Sequence, residues 1–571
     1  MSGTNQSCDP PNKNGNTMLN GKTKIAYFSM EIGLKSEIPT YSGGLGVLAG
    51  DTIRAAADLN LPMVAISLVS RKGYFRQRLT PEGQQIEESD SWEPSQYMDM
   101  LPAEITVPLY GRAVKVKAWQ YDVVSPAGRS VPALLLDTDV EGNLPSDRAI
   151  TNYLYGGDMR YRLEQEVVLG IGGVRMLDAL GYRIRRYHMN EGHSALLALE
   201  LLKKNGLDHN KVRDMCVFTT HTPVEAAFDK FPYMLFDEVL PGYIQQSELR
   251  ELSGGDGFLN MAKLALNLSS YVNGVTKRHS EQSQVIFPGY RIKAITNGIH
   301  SYTWTCECFR NLYDKYITGW AIEPSLLVRA SVIPDEELVE AHRGAKKNLI
   351  DYVNSTTGAA MDYETLTIGF ARRATGYKRA NMIFSDVERL RSIAAGGKIQ
   401  LVYAGKAHPR DEPGKAMIRE IFRYARELRD EIKIVYLEGY NMDLALKIIS
   451  GVDLWLNTPQ PPMEASGTSG MKAAHNGVVN FSVLDGWWIE GWMEGITGWA
   501  IGPPPDLKLS DQERRRRELR DLYNKLEYII VPMFYDRKDE WHKIMTNSIE
   551  KVASYFNSHR MMSNYVMEAY L

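Results

Sequence analysis

The richest chemistry in the chain lies in Glu464-Ala-Ser-Gly-Thr-Ser-Gly-Met-Lys472, where a lysine follows a carboxylate across a run of small side chains. Small residues let a ligand approach the backbone, and amides at a helix start favour anions. A cationic amine in such a bend suits a phosphate ligand or a Schiff-base lysine, and an ordinary helix start with a solvated lysine has the same composition. Further cations stand at Arg373, Lys378 and Lys406, each shortly after an apolar run. Gathered with Glu464 and Lys472, they describe a site for phosphate-bearing ligands. His193 and His221 also follow apolar runs, with no second ligand at metal spacing, so no metal is expected. His221 sits in the polar turn Thr219-Thr-His-Thr-Pro223, which suits hydrogen bonding to a ligand.

These groups need strands to position them. Lys24–Met30 is a short β-rich run, followed by Tyr41-Ser-Gly-Gly-Leu-Gly46 and helical spacing over Val47–Leu59. Strand, glycine loop and helix form a phosphate-approach layout, which a plain glycine turn shares. Pro62–Val69 predicts a strand, and residues 72–144 alternate and turn often, as antiparallel additions do. Tyr161–Leu180 predicts a helix whose Gly170-Ile-Gly-Gly173 packs closely on a neighbour. Arg185–Asn190 and Val217–Thr220 predict strands that place His193 and His221 at the sheet edge where ligands sit. Leu259–Ser280 reads as helix, Arg291–Thr296 as strand, and residues 301–365 as connecting helices. Strands recur at Thr365–Phe370, Gln400–Ala404, Ile432–Leu437 and Leu454–Leu456, each delivering a polar or basic loop, and Ala371–Arg379 reads as the opening of a helix. Right-handed crossovers put those loops on one edge of a parallel sheet. Glu513-Arg-Arg-Arg-Arg-Glu518 reads as a solvated helix face with internal ion pairs.

The chain has 571 residues, too many for one ordinary core, so two or more domains are expected. A net charge of −3 supplies no field for nucleic acid or an anionic membrane. Cys8, Cys216, Cys306 and Cys308 are too scattered for a disulfide framework or a structural zinc site. There is no apolar leader and no run of about 18 apolar residues, so a cytoplasmic enzyme is expected. Residues 1–22 are polar and rich in Asn, Gly and Pro, the composition of a disordered tail.

Several blocks occur together between about residue 24 and residue 490: Ser42-Gly-Gly-Leu-Gly46, Asn190-Glu-Gly-His193, Thr220-His221-Thr222, Asn297-Gly-Ile299, Arg372-Arg373 with Tyr377-Lys378-Arg379, Gly405-Lys-Ala407, and Glu464-Ala-Ser-Gly-Thr468 with Met471-Lys472. In that order they resemble the α-glucan (glycogen, starch, maltodextrin) phosphorylase family. Ser469-Gly-Met-Lys472 and Leu484-Asp-Gly-Trp-Trp488 look like its short prokaryotic-type branch. The resemblance implies an α/β fold of two Rossmann-like domains facing across a cleft, the GT-B glycosyltransferase plan. The expected division is a disordered tail (1–22), an N-terminal Rossmann-like glucan and phosphate-loop domain (23–300), connecting helices (301–365), a C-terminal Rossmann-like pyridoxal-phosphate domain (366–510), and C-terminal helices (511–571) whose end packs back on the first domain.

The resemblance further implies phosphorolysis of α-1,4-glucan non-reducing ends by inorganic phosphate, releasing α-D-glucose 1-phosphate with retention. It implies pyridoxal 5'-phosphate held by Lys472 as a Schiff base, with the cofactor phosphate and substrate phosphate acting together as general acid–base. Lys472, Arg373, Lys378 and His221 match the catalytic positions. Tyr440, Arg372, Lys378, Thr468 and Ser469 match cofactor contacts, and Gly43, Gly44, Arg373 and Lys378 match contacts to substrate phosphate. His221, Asn297, Glu464, Ser466, Gly467 and His193 match glucosyl contacts. Expected partners are an α-1,4-glucan or maltodextrin, inorganic phosphate and glucose 1-phosphate, with no nucleic acid and no membrane. Dimers are common in the family, but the interface segments of its larger members are not recognisable here. Arg372 stands where larger members have lysine and Asn441 where they have a basic residue, which trims charge around the cofactor phosphate. Their long N-terminal regulatory segment has no match, so allosteric control there is not expected. A nucleotide-sugar-dependent glucan synthase shares the two-domain plan, and the Met471-Lys472 block stands against it. A catalytically silent glucan-binding protein would have lost Arg373, Lys378, Glu464 or Lys472, and all are present.

Overall fold

The computed structural model describes residues 23–255, 257–395 and 398–571; the tail expected over residues 1–22 lies outside them. Two large sheets organise the chain. In the first, seven strands run parallel in the spatial order Lys293–Ala294, Tyr271–Gly274, Cys216–Thr219, Arg186–Asn190, Ile25–Ser29, Met63–Leu68, Ser130–Asp137. Arg112–Val124 then adds antiparallel to the last of these, with Asp99–Met100 and Ile105–Leu109 on its far side, as the alternating pattern over 72–144 predicts. Ile25–Ser29 and Met63–Leu68 are buried along their whole length, the condition under which a continuous apolar run forms a parallel strand covered on both faces.

The second sheet is parallel throughout, in the order Lys433–Leu437, Ile399–Ala404, Leu366–Ala371, Leu454–Asn457, Val479–Val483, Gly498–Ile501. Counted along the chain, this is the doubly wound order 3-2-1-4-5-6. The first sheet repeats that order, reversing direction between Ile25–Ser29 and Arg186–Asn190. Loops leaving a sheet on either side of such a reversal diverge and leave a crevice beyond the strand ends. The two crevices face each other, which is the GT-B arrangement. Among the described residues no helix is long and apolar enough to cross a membrane.

Three local expectations are corrected. Leu259–Ser280 is not one helix: Met261–Asn267 is helical, but Tyr271–Gly274 is a buried strand paired to Cys216–Thr219. A short apolar run carries no period of its own, and burial on both faces decides it as strand. Ala371–Arg379 does not open an α-helix; it makes only a 3₁₀ turn over Gly376–Lys378 and turns back at Arg379, whose φ is 49°. The Arg379 guanidinium donates to the carbonyls of Thr458 (2.8 Å) and Pro459 (2.6 Å), tying this loop to the one after Leu454–Asn457. Its other arm reaches Glu518 at 2.6 Å, so Glu518 is buried rather than solvated, while Glu513 pairs with Arg516 and Arg517 as expected.

A hairpin and the end of the chain are among the connections that hold the halves together. A hairpin, Arg76–Leu79 with Gln85–Glu88, leaves the first half and docks on strand-end loops of the second sheet. Gln77 donates to the Gly405 carbonyl (2.8 Å), and Gln85 both donates to the Ala407 carbonyl and accepts from its amide, each at 2.9 Å. Lys406 Nζ donates to the Phe75 carbonyl at 2.8 Å, so this cation is tied to the segment leading into the hairpin. At the other end of the chain, Tyr565 and Tyr570 reach the first sheet, where the Tyr570 hydroxyl meets His188 Nδ1 at 2.6 Å. Asn557 crosses directly beneath Gly298, where an added Cβ would lie 2.2 Å from the Asn557 carbonyl oxygen. The glycine of Asn297-Gly298 is thus required by a close backbone approach.

Candidate active site

The two crevices enclose one cleft of about 1150 Å³, and every residue expected at the site lines it. At its floor, Lys472 comes from the helix Ser469–Ala474, which follows Leu454–Asn457. Its amine lies 3.4 Å from the centroid of the Trp304 ring, and no described residue makes a hydrogen bond or ion pair with it. The Trp304 indole N–H is held by both carboxylate oxygens of Asp51, at 3.0 and 2.9 Å, which fixes the plane of the ring. Burial pushes the Lys472 amine down to about 8, with Asp51 opposing the shift and Arg54 adding to it. Close by, Ser469 Oγ accepts from the Trp455 indole at 3.1 Å, and the Tyr440 hydroxyl donates to the Ala371 carbonyl at 3.2 Å. The Thr468 side chain caps nothing. Asn441 spends its side chain as the N-cap of Met442–Gly451, accepting from the Leu444 amide at 2.9 Å.

Above the lysine sits a charge cluster. Glu464 accepts from Arg372 Nη2 at 2.7 Å and from Lys378 Nζ in a very short contact. Burial alone would raise the Glu464 carboxyl, but Arg372 and Lys378 hold it below the ordinary carboxylate range. Burial and the neighbouring Arg372 push Lys378 down to about 7 against the pull of Glu464. Gly467, at φ +81°, belongs to the same knot: a Cβ there would lie 3.1 Å from Glu464 and 3.2 Å from Arg372. Asp485 supports it from behind by accepting from the Glu464 amide at 2.9 Å. Arg373 differs from its neighbour: no described residue takes a hydrogen bond or ion pair from it, and its Nη2 lies 3.1 Å from where a Gly43 Cβ would stand. Gly43 is the N-cap of the helix Gly44–Asp58, and a Cβ on Gly44 would meet nothing within 4 Å, so the loop is open beside that guanidinium.

The opposite wall carries the histidines. His221 Nε2 lies 2.6 Å from Asn190 Oδ1, and the Asn190 amide nitrogen donates to Ser29 Oγ at 3.0 Å, which orients its oxygen toward the ring. His221 therefore carries its proton on Nε2 and keeps the Nδ1 lone pair as an acceptor. Burial pushes His221 down to about 3 and His193 to about 4, so both are neutral. Four buried polar atoms of cleft-lining residues lack a hydrogen-bond partner among the described residues: Arg162 Nη1, His193 Nδ1, Asn297 Oδ1 and Ser466 Oγ. Buried polar atoms of this kind await a ligand or water.

Sequence reasoning missed Trp304, Asp51 and Glu31. Glu31 stands two residues past the first strand, so the strand-end argument applied to the histidines would have found it. Nothing in the sequence places Trp304 against Lys472, since the contact joins residues far apart in the chain.

Comparison with known proteins agrees with this geometry. A family model described as carbohydrate phosphorylase matches residues 245–494, the stretch that carries Asn297, Arg372, Arg373, Lys378, Glu464 and Lys472. A maltodextrin phosphorylase of Thermococcus litoralis is 38% identical over 96% of this chain and 70% of its own length. A glycogen phosphorylase of Aquifex aeolicus is 36% identical over 96% of this chain and 86% of its own. An uncharacterised protein of Methanocaldococcus jannaschii is 31% identical over 95% of this chain and 99% of its own. With these blocks in family order on two facing doubly wound sheets, the chain belongs to the carbohydrate phosphorylase family.

Proposed function

We propose that this protein is a glycosyltransferase that phosphorolyses α-1,4-glucans at their non-reducing ends, releasing α-D-glucose 1-phosphate with retention. The observation that carries the reading is one cleft in which an unengaged buried amine, a caged carboxylate with two cations and an unengaged guanidinium converge. Residues 23–300 then carry the glucan and phosphate loop, 366–510 carry the cofactor lysine, 301–365 connect them, and 511–571 close the structure.

The residues fit pyridoxal phosphate. The Lys472 amine is buried and, among the described residues, partnered only by the flat Trp304 ring, and Gly467 leaves room where a Cβ would crowd Glu464 and Arg372. Lys472 would hold the group covalently, with Tyr440, Arg372, Thr468 and Ser469 around its phosphate. When bound, it supplies a phosphate that exchanges a proton with the substrate phosphate.

The chain's own residues do the rest. Arg373 and the amide of Gly44 bind the substrate phosphate, the Gly43 amide expected beside them being taken by Glu31 at 3.1 Å, and Lys378 offsets the repulsion between neighbouring anions. His221 accepts a sugar hydroxyl at Nδ1, and Asn297 Oδ1, Ser466 Oγ and His193 Nδ1 satisfy others. Glu464 is held ionised by its two cations, so it has no proton to give a leaving glycosidic oxygen and is not the general acid of a glycosidase pair. Incubating the protein with inorganic phosphate and maltodextrin should release glucose 1-phosphate. Glucan binding without release would identify a silent binder, and transfer from a nucleotide sugar a synthase.

A pH dependence follows from Lys378. Its amine titrates near 7, so above that pH phosphate must bind together with a proton. The phosphate KM is expected to rise toward about tenfold per pH unit above about 7, and Lys378→Arg, charged throughout, should flatten that rise. Phosphate KM measured from pH 6 to 9 in both proteins checks this, and parallel curves would contradict it.

A further inference from the structure

Glu31 has no part in the chemistry described so far, yet it is the most heavily used carboxylate on the cleft wall. It stands two residues past the first strand of the first sheet and is 1% exposed. Its Oε2 accepts from the amides of Ser42 (2.6 Å) and Gly43 (3.1 Å) and from Ser42 Oγ (3.2 Å). Its Oε1 accepts from the Tyr155 hydroxyl at 2.9 Å. Gly46, one helical turn on, leaves it room: a Cβ there would lie 2.6 Å from Glu31 Oε2. The carboxylate therefore holds the amides that lead into the glycine loop, while the Arg373 guanidinium, whose charge it also steadies, stands 3.1 Å from where a Gly43 Cβ would be and Gly44 is open.

We infer that Glu31 is the positioning residue of the glycine loop: by fixing the Ser42 and Gly43 peptide planes, it aims the Gly44 side of the loop at the same point as the Arg373 guanidinium. Glycine is the loosest residue in the backbone, so Gly43-Gly44 by itself samples many peptide orientations. An acceptor bonded to two successive amides selects one of them. A carboxylate beside an incoming phosphate also repels it, so Glu31 helps only if orientation outweighs charge. The contacts favour orientation: the group is buried, bound by several donors and pinned by Tyr155, which in turn lies under the Arg162 guanidinium at 4.3 Å. It is a fixed strut and does not swing away.

The inference rests on the phosphorolysis reading, and the test separates the two. Phosphate and maltodextrin KM and kcat are measured for the wild type, Glu31→Ala and Glu31→Gln, together with the rise in melting temperature caused by inorganic phosphate alone. Glu31→Ala should raise phosphate KM about tenfold or more, leave maltodextrin KM within about twofold, and shrink the phosphate-induced stabilisation. Glu31→Gln keeps an acceptor for both amides and should stay within about threefold of wild type. Unchanged phosphate KM in Glu31→Ala would overturn the inference. So would Glu31→Gln matching the alanine variant, because charge would then be what matters, or tighter phosphate binding in either. If Glu31→Ala does not fold, Glu31→Asp, which retracts the acceptor from the amides, replaces it with the same expectation. A wild type that gains stability from phosphate but releases no glucose 1-phosphate would sink the functional reading while leaving the Glu31 test intact.

Discussion

Lys472→Ala is expected to abolish both glucose 1-phosphate release and any absorbance band at roughly 330–420 nm, the region of a lysine-bound pyridoxal. The amine is preorganised for covalent attachment. It lies over the Trp304 ring at 3.4 Å, and the ring is clamped by Asp51. Held near 8 by burial, it is neutral and nucleophilic in about one molecule in ten at pH 7, far more often than an ordinary lysine. Alanine removes the attachment point and opens a gap beside the indole. Activity should fall by about a thousandfold or more, because the proton exchange partner is lost along with the lysine. Spectra and turnover are to be recorded on protein whose thermal unfolding matches the wild type. A band that persists in the variant, or a wild type with no band and no borohydride-trappable adduct, would refute the cofactor assignment.

Arg373→Ala is expected to lower kcat/KM for phosphate by about 10²–10³-fold while leaving the maltodextrin KM within about twofold. The two adjacent arginines have different duties in the structure. Arg372 is bonded to Glu464, which Lys378 shares, whereas Arg373 faces the cleft beside Gly43 with no described partner. A buried guanidinium with no carboxylate bonded to it keeps all its N–H donors for an anion, which makes it a strong phosphate ligand. Arg373→Lys should recover only part of the loss, since an ammonium cannot make a two-pronged contact with phosphate oxygens. Equal loss from Arg372→Ala and Arg373→Ala with identical phosphate kinetics would mean that the division of labour seen here does not hold.

The strand ends were legible in the sequence. Buried parallel strands are continuous apolar runs, and the residues that follow them are polar because they leave the sheet at its solvent-facing edge. That pattern located Arg373, Lys378, His193, His221 and Lys472 without any structure. It failed at Tyr271–Gly274, too short an apolar run to show a period, and at Ala371–Arg379, where side-chain bonds to Thr458 and Pro459 override helix formation. It also placed Lys406 with these cations, and Lys406 lines the cleft while spending one of its donors on the Phe75 carbonyl. The solvated helix face expected at Glu513–Glu518 held for Glu513, whose partners are three and four residues on, and failed for Glu518, whose partner Arg379 is remote.

By itself, then, the sequence determined which charged and polar residues stand at the strand ends that line the cleft, because residue type and local hydrophobic pattern are properties of neighbouring positions. Only the tertiary structure decided how these residues divide the work. It set Trp304 under Lys472, closed Glu464 between Arg372 and Lys378, left Arg373 unengaged, and put Glu31 on the glycine loop. Each of these depends on the distance and direction between groups far apart in the chain. Whether a cation binds a ligand or a neighbouring carboxylate is a competition settled by geometry and burial, and no local pattern encodes its outcome.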